Sequence, residues 1–277
     1  MPEMPEVETM VRRLQSWKGW RITDVKVDVR MSSKAAKKFL PGDEYNSVIG
    51  QGIVDVYRRG KFIIFMTSSG AILAHNAMSG YWDMLEDPWT FDYVEGQRAS
   101  TDADVRVMFK LEMFGEQKTL RFHDARMFGS VRYMDPTQLA VKLSKLGPEA
   151  DHTMSLYEPV QVLTSEHFNA LCTGHYKSVK ELLMNQDKIA GIGNIYASEA
   201  CWFAGVDPHR TSDSLTGVER NRLFLGIRSV LRQALERRLD YGGLKVYRRK
   251  QCQNCESPII TDKIKGRSTY WCARCQN

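Results

Sequence analysis

Cys252-Gln253-Asn254-Cys255 and Cys272-Ala273-Arg274-Cys275 are separated by sixteen residues near the end of the 277-residue sequence. Two Cys-x-x-Cys pairs at this separation have the spacing of a four-thiolate zinc site. Each pair forms a knuckle, and the chain between them closes as a β-hairpin. Disulfides are the competing reading. Nothing in the sequence indicates secretion, however, and paired Cys-x-x-Cys motifs in a reducing compartment favour metal. One structural Zn2+ held by Cys252, Cys255, Cys272 and Cys275 is therefore expected. The other two cysteines, Cys172 and Cys201, sit in apolar, helix-like surroundings and are expected to be small core residues.

The chain around these cysteines is basic. Residues 201–277 carry 15 Lys+Arg against 7 Asp+Glu, a balance of +8, whereas the preceding 200 residues sum to −2. Such asymmetry points to a polyanion partner, nucleic acid or a charged membrane surface. No apolar run approaches the roughly 18 residues that span a bilayer, and no signal-type apolar segment follows Met1. The expectation is a cytoplasmic protein with no membrane partner. Arg248, Arg249, Lys250, Lys263, Lys265 and Arg267 surround the cysteines. Arg267, preceded by Gly266, falls near the turn of the expected hairpin, where a basic tip suits a nucleic-acid backbone. Ordinary solvated charge is the alternative.

Upstream, the periodicity is helical. Segments 165–172, 178–185, 194–203 and 216–238 read as helices, and Gly242-Gly243 releases the chain into the hairpin. Gly191-Ile192-Gly193-Asn194-Ile195-Tyr196 opens the third helix. Two glycines let backbone N–H groups approach an anion, Asn194 can cap the helix, and a helix N-terminus favours negative charge, so a phosphate contact is expected there. The first 135 residues differ in character. Ile22, Val25, Val27 and Val29 alternate as a half-buried strand, and 53–57, 62–66, 71–75, 107–109 and 119–122 read as further strands. Residues 31–41 read as a short helix or loop, and Asp87 to Asp104 is polar and turn-rich. This is a β-sandwich or barrel carrying one helix, with Arg58-Arg59-Gly60-Lys61 at a strand-to-strand turn. Met78 and Phe128 lie on loops, His75–Gly80 and Arg126–Gly129. There they serve either as wedges between stacked bases or as core residues.

The one helix is the first. Val7, Met10, Val11, Leu14 and Trp17 recur at helical spacing over Pro5–Trp17. Ahead of them stands Met1-Pro2-Glu3-Met4-Pro5-Glu6. Removal of Met1 would leave Pro2 as a terminal secondary amine, appreciably unprotonated at neutral pH because α-amino groups titrate near ~8. Such an amine attacks a sugar C1′ or aldehyde to give an iminium ion, and Glu3 and Glu6 supply carboxylates beside it for proton transfer. An ordinary acidic helix start is the alternative.

Taken in order, Pro-Glu-x-Pro-Glu-Val-Glu, Arg-Arg-Gly-Lys, His75-x-x-Met78-Ser-Gly, Asp124-x-Arg126-x-Phe128-Gly129, Leu-Gly-Pro-Glu, Gly-Ile-Gly-Asn-Ile-Tyr and the four cysteines resemble the formamidopyrimidine-DNA glycosylase and endonuclease VIII family of base-excision repair enzymes. Met78, Arg126 and Phe128 place the chain nearest the formamidopyrimidine branch. The resemblance implies an α+β protein: an N-terminal β-sandwich with an N-terminal helix (1–135), a linker (136–152), a helical domain with a helix-two-turn-helix motif (153–241) and a four-cysteine zinc hairpin (242–277). Its partner would be double-stranded DNA containing oxidised bases or abasic sites, bound by a monomer that is nucleoid-associated if bacterial. By motif position, Pro2 is the nucleophile, Glu3 transfers protons, Lys61 belongs to the catalytic set and Glu6 orients. Lys61, His75, Asn194, Tyr247 and Arg267 grip phosphates, and Met78, Arg126 and Phe128 fill the gap left by an extruded base. The implied activity is removal of oxidised purines (8-oxoguanine, formamidopyrimidines) with β,δ-elimination at the abasic site. His75-Asn76 and Tyr270-Trp271 are more similar to endonuclease VIII, which leaves two alternatives: an activity on oxidised pyrimidines, and a non-catalytic zinc-dependent DNA-binding protein.

Overall fold

The computed structural model describes residues 2–28, 30–84, 102–152, 156–158, 160–174, 176–237 and 241–277. The expectations that fall on Met1, on Val29, on most of the polar stretch from Asp87 and on the last residue of the fourth helix, Arg238, lie outside them. The chain divides into two units, one of residues 1–2, 7–144 and 155–157, the other of residues 3–6, 145–154 and 158–277.

In the first unit, Val7, Met10, Val11 and Leu14 are all buried, as a helix with one apolar stripe requires. That helix, α1, spans Met4–Leu14 and closes with a 3-10 turn at Gln15–Trp17, where the α-helical pattern was expected to continue. The tighter turn sets Trp17 edge-on against Trp20, ring centroids 5.2 Å apart. Next come β1 (Arg21–Val27), two short helices, α2 (Ser33–Ala36) and α3 (Glu44–Val48), and the strands β2 (Ile53–Arg59), β3 (Phe62–Thr67), β4 (Ala71–His75), β5 (Tyr81–Met84), β6 (Val105–Met113), β7 (Glu116–His123) and β8 (Ser130–Met134). They form two four-stranded antiparallel sheets, β1-β6-β7-β5 and β2-β3-β4-β8. Inward residues of both sheets, such as Ile22, Phe109 and Phe122 from one and Val56, Phe65 and Ile72 from the other, share a single core with α1. This is the expected sandwich. Helix α4 (Pro136–Leu143) then lies against β4 and β8, inside the stretch read as linker. Its start is a capping box, Asp135 accepting from the Gln138 amide, with Pro136 at the first turn.

β2 runs two residues past the expected Tyr57 because its arginines turn inward. Arg58 is fully buried, its Nε donating to Glu8 Oε2 at 3.1 Å and its guanidinium to the Gly60 carbonyl at 2.9 Å. Gly60, at φ +56°, then reverses the chain into β3. Lys61 is consequently 9% exposed, a buried side chain where a solvated turn lysine was the alternative.

The second unit is helical: α5 (Ser165–Cys172), α6 (Val179–Met184), α7 (Asn194–Ala204) and α8 (Gly217–Glu236), followed by the hairpin β9 (Ile260–Ile264) and β10 (Arg267–Trp271). Local chemistry sets the boundaries. Ser178 with Glu181 and Thr216 with Glu219 form capping boxes, and Thr164 caps α5. Helix α7 is buried on nearly every side, Ile195–Cys201 among them, so it serves as the unit's axis, packed against α6, α8 and β10. Cys172 and Cys201 are core residues as expected, their thiols pushed up to about 11 and about 12 by burial.

Candidate active site

In the second unit, Glu3 occupies the start of α7. The helix carries Gly193 at its N-cap, which has no side chain to satisfy the first amides. The Glu3 carboxylate does so instead: Gly193 N–H donates to Oε2 at 2.8 Å, Ile195 N–H to Oε1 at 2.8 Å and Tyr196 N–H to Oε2 at 3.3 Å. Glu3 is 1% exposed. The first amides of α7 thus seat an anion, and that anion is the protein's own Glu3 carboxylate. The spacing of the glycines follows from this. A Cβ on Gly193 would stand 2.3 Å from Glu3 Cδ, and one on Gly191, at φ +96°, would stand 2.9 Å from Met4 Cβ. The Met4 amide also donates to the Gly191 carbonyl at 3.0 Å. Asn194, expected to cap, is the first helical residue, and its Nδ2 donates to the Ser268 carbonyl at 2.9 Å.

Glu6 holds the same segment from its other side. Its Oε2 accepts from the Glu3 amide at 2.8 Å, and its Oε1 accepts from two phenols, Tyr196 at 2.7 Å and Tyr241 at 2.8 Å. Burial, reinforced by the neighbouring Glu6 charge, pushes both phenols upward, so they remain protonated donors. Glu199, one turn further along α7, is buried and accepts from three consecutive amides, Lys245 at 2.7 Å, Val246 at 2.9 Å and Tyr247 at 2.8 Å. It fixes the backbone that presents Tyr247, whose ring stands edge-on to Tyr270 at 4.9 Å. Lys180, fully buried, donates to the Ser268 carbonyl at 2.9 Å and to Thr269 Oγ1 at 3.0 Å; burial lowers its ammonium to about 8. Lys180 and Asn194 therefore converge on the residue after Arg267. Arg267 itself is exposed at the start of β10, behind a two-residue turn, Lys265-Gly266, with both φ angles positive (46° and 73°).

In the first unit, the other expected residues lie on β4 and the two loops near its end. His75 closes β4 with its ring 5.0 Å from that of Phe62. Burial, with the Lys61 and Lys142 charges added, lowers its imidazole to about 4, so it is neutral at physiological pH. The loop with Met78 and the loop with Arg126 and Phe128 are joined through Asp124, which is fully buried. It accepts from Ser79 Oγ at 2.5 Å and from the Gly129 amide at 2.7 Å, and the Arg126 amide donates to Ser79 Oγ at 3.3 Å. Each loop also holds a non-glycine residue at positive φ, Ala77 at 48° and Met127 at 53°. Phe128 is 52% exposed with the Arg126 guanidinium 4.8 Å over its ring, and Met78 is partly exposed. Phe128 is therefore not a core residue.

The four cysteine sulfurs lie within 4.8 Å of one another, with Cys252–Cys275 at 3.8 Å and Cys255–Cys272 at 3.5 Å. Four Zn–S bonds of ~2.3 Å in a tetrahedron place sulfurs about 3.8 Å apart. The residues present fit one structural zinc ion, with Trp202 Nε1 donating to Cys252 Sγ at 3.3 Å.

Sequence reasoning gave no role to Tyr196, Tyr241, Glu199, Lys180 or Asp124. Glu199 alone carried a signal, as a carboxylate within the apolar run Ile195–Ala204. The partners of the others are set by the fold, not by spacing.

A sandwich that begins with a helix, a helical unit whose axis is capped by the chain's third residue, and a four-thiolate finger together define a DNA glycosylase of base-excision repair. The formamidopyrimidine-DNA glycosylase N-terminal domain matches residues 1–131, the formamidopyrimidine-DNA glycosylase H2TH domain residues 146–245, and the zinc finger found in FPG and IleRS residues 250–277. The formamidopyrimidine-DNA glycosylase of Methylococcus capsulatus is 30% identical over 299 residues, covering 100% of both chains. That of Symbiobacterium thermophilum is 33% identical, over 100% of this chain and 89% of its own. Among solved structures, Lactococcus lactis Fpg in complex with abasic-site DNA matches with a TM-score of 0.82 at 25% identity over 99% of each chain. MutM in complex with carbocyclic 8-oxo-G containing DNA matches with a TM-score of 0.81 at 25% identity, again over 99% of each chain. The chain belongs to the formamidopyrimidine-DNA glycosylase family.

Proposed function

We propose that the chain excises oxidised purines from double-stranded DNA and cleaves the resulting abasic site, with Pro2, freed of Met1, as nucleophile. The observation that carries this reading is the anchoring of residue 3: its amide is held by Glu6 and its carboxylate by the first amides of α7. The residue directly after a reactive amine is fixed at both ends, and such positioning is one large contribution a protein makes to a displacement at carbon. Pro2 nitrogen bonds to C1′ as the C1′–base bond breaks, and the departing base takes a proton from solvent water. The N–H proton released by Pro2 passes through Glu3 to the ring oxygen, and the C1′–O4′ bond opens to leave an iminium ion. The iminium acidifies C2′, whose proton is lost as the C3′–O bond breaks and the 3′ phosphate leaves; δ-elimination then breaks the C5′–O bond and releases the 5′ phosphate.

Lys61 completes the catalytic set and, with His75, Asn194, Tyr247 and Arg267, grips phosphates, while Met78, Arg126 and Phe128 enter the stack vacated by the flipped base. The exposure of Phe128 supports the wedge role. The oxidised-purine preference is supported by the relatives named formamidopyrimidine-DNA glycosylase. In this reading residues 1–135 form the catalytic domain, 153–241 the helix-two-turn-helix domain and 242–277 the zinc hairpin, acting as a monomer on DNA.

The test is borohydride reduction during turnover on duplexes containing 8-oxoguanine, thymine glycol or a pre-formed abasic site. A covalent adduct at Pro2, with Met1 absent and 8-oxoguanine preferred, is expected. An adduct at Lys61 would overturn the assignment of the nucleophile, a preference for thymine glycol the substrate class, and tight binding without any adduct the enzymatic reading.

A further inference from the structure

Tyr241 lies in a 3-10 turn (Tyr241–Gly243) between α8 and the segment that presents Tyr247, far from Glu6 in sequence. Its hydroxyl nevertheless donates to Glu6 Oε1 at 2.8 Å, beside the Tyr196 donor at 2.7 Å. Tyr196 would be enough to cap one lone pair. The second phenol saturates Oε1, which leaves Oε2 for the Glu3 amide. That amide is the peptide nitrogen joining Glu3 to Pro2. Its orientation fixes the plane of the Pro2–Glu3 peptide and so the direction of the Cα–C bond that carries the Pro2 ring.

A carboxylate with one donor at each oxygen retains a swing about its last torsion, because terminal sp3–sp2 torsions are broad. Two donors converging on one oxygen from different elements, α7 and the 241–243 turn, remove that swing. The turn also connects to the Glu199-held backbone at Lys245–Tyr247, which presents Tyr247.

We infer that Tyr241 is a positioning residue for the nucleophile: through Glu6 it sets the orientation of the Pro2–Glu3 peptide and couples it to the segment bearing Tyr247. The inference rests on the proposed role of Pro2.

The test compares wild type, Tyr241→Phe, Glu6→Gln and the double variant in single-turnover borohydride trapping on a pre-formed abasic site at saturating DNA. Tyr241→Phe should slow trapping about five- to tenfold, less than the full worth of a hydrogen bond to a charged group because its effect on the amine is indirect. Loss of the part-buried bond should also lower the melting temperature by a few degrees, and saturating DNA keeps any change in affinity out of the measured rate. The double variant should be no slower than Glu6→Gln, because both changes act on one path. Wild-type trapping by Tyr241→Phe would overturn the inference, as would an effect that adds to that of Glu6→Gln. Hydrogen exchange at the Glu3 amide keeps the two readings separable. If the wild type traps nothing, the Pro2 reading fails, and exchange still decides Tyr241: faster in Tyr241→Phe supports it, unchanged overturns it.

Discussion

Gly193→Ala tests the seat of Glu3 directly. The backbone at Gly193 is extended, so alanine meets no conformational obstacle, and the whole effect comes from the added methyl group. That methyl would lie 2.3 Å from Glu3 Cδ, 2.5 Å from Oε1 and 2.7 Å from Cγ. Restoring van der Waals separation requires a shift of more than about 1 Å, which stretches both 2.8 Å hydrogen bonds beyond bonding distance. Bonds to a charged acceptor contribute ~1.5–3 kcal/mol each, and water reaching the freed amides returns part of that. The expected loss is about 2–4 kcal/mol in urea unfolding of the helical unit, with the slope unchanged. Base release should fall by about 100-fold, as a ~1 Å displacement of a reacting group does. Gly217→Ala is the control: nothing lies within 4 Å of its added Cβ at the first turn of α8, and stability should rise by about 0.5 kcal/mol. If Gly193→Ala matched the wild type in both stability and base release, the seating of Glu3 by α7 would be refuted.

Cys255→Ser should lose zinc by metal analysis and weaken DNA binding, while the sandwich unit keeps its own unfolding transition; purified wild-type protein without zinc would contradict this. Arg267→Ala should weaken lesion and undamaged duplexes alike and lower the slope of log affinity against log salt by about 0.9, whereas a loss confined to one lesion would make Arg267 a base reader. For His75 the folded value of about 4 lies below the unfolded one near 6.5, so its contribution is fully present above pH ~6.5 and is lost as pH falls toward 4. Folding should lose up to about 3 kcal/mol across that window, and His75→Gln should flatten this part of the stability–pH curve.

The parts of this molecule legible in sequence are those governed by local periodicity. α5 runs over Ser165–Cys172 as the spacing predicts, and β4 over Ala71–His75 likewise. The four cysteines were legible because zinc fixes their spacing. β2 was misjudged at its end because Arg58 and Arg59 read as turn charges. Arg58 is buried against Glu8, fifty residues before it, and no local pattern encodes that partner. The Gly191–Gly193 spacing indicates an anion seat, and the anion in the first amides of α7 is the Glu3 carboxylate, a partner that no local pattern encodes. A helix N-terminus attracts any negative charge, and only the fold brings residue 3 to it.

That last point bears on how the site is organised. Here Glu3 is capped into α7, Glu6 is held by Tyr196 and Tyr241, and Glu8 is paired with Arg58 and with Arg12 at 2.9 Å. Three glutamates within six residues have three separate partner sets, and none of them faces water as an acidic helix start ordinarily would. The acidic opening is therefore not explained by the helix dipole, which one exposed carboxylate would satisfy. Each carboxylate instead anchors its own residue, Glu3 and Glu6 within the helical unit and Glu8 within the sandwich.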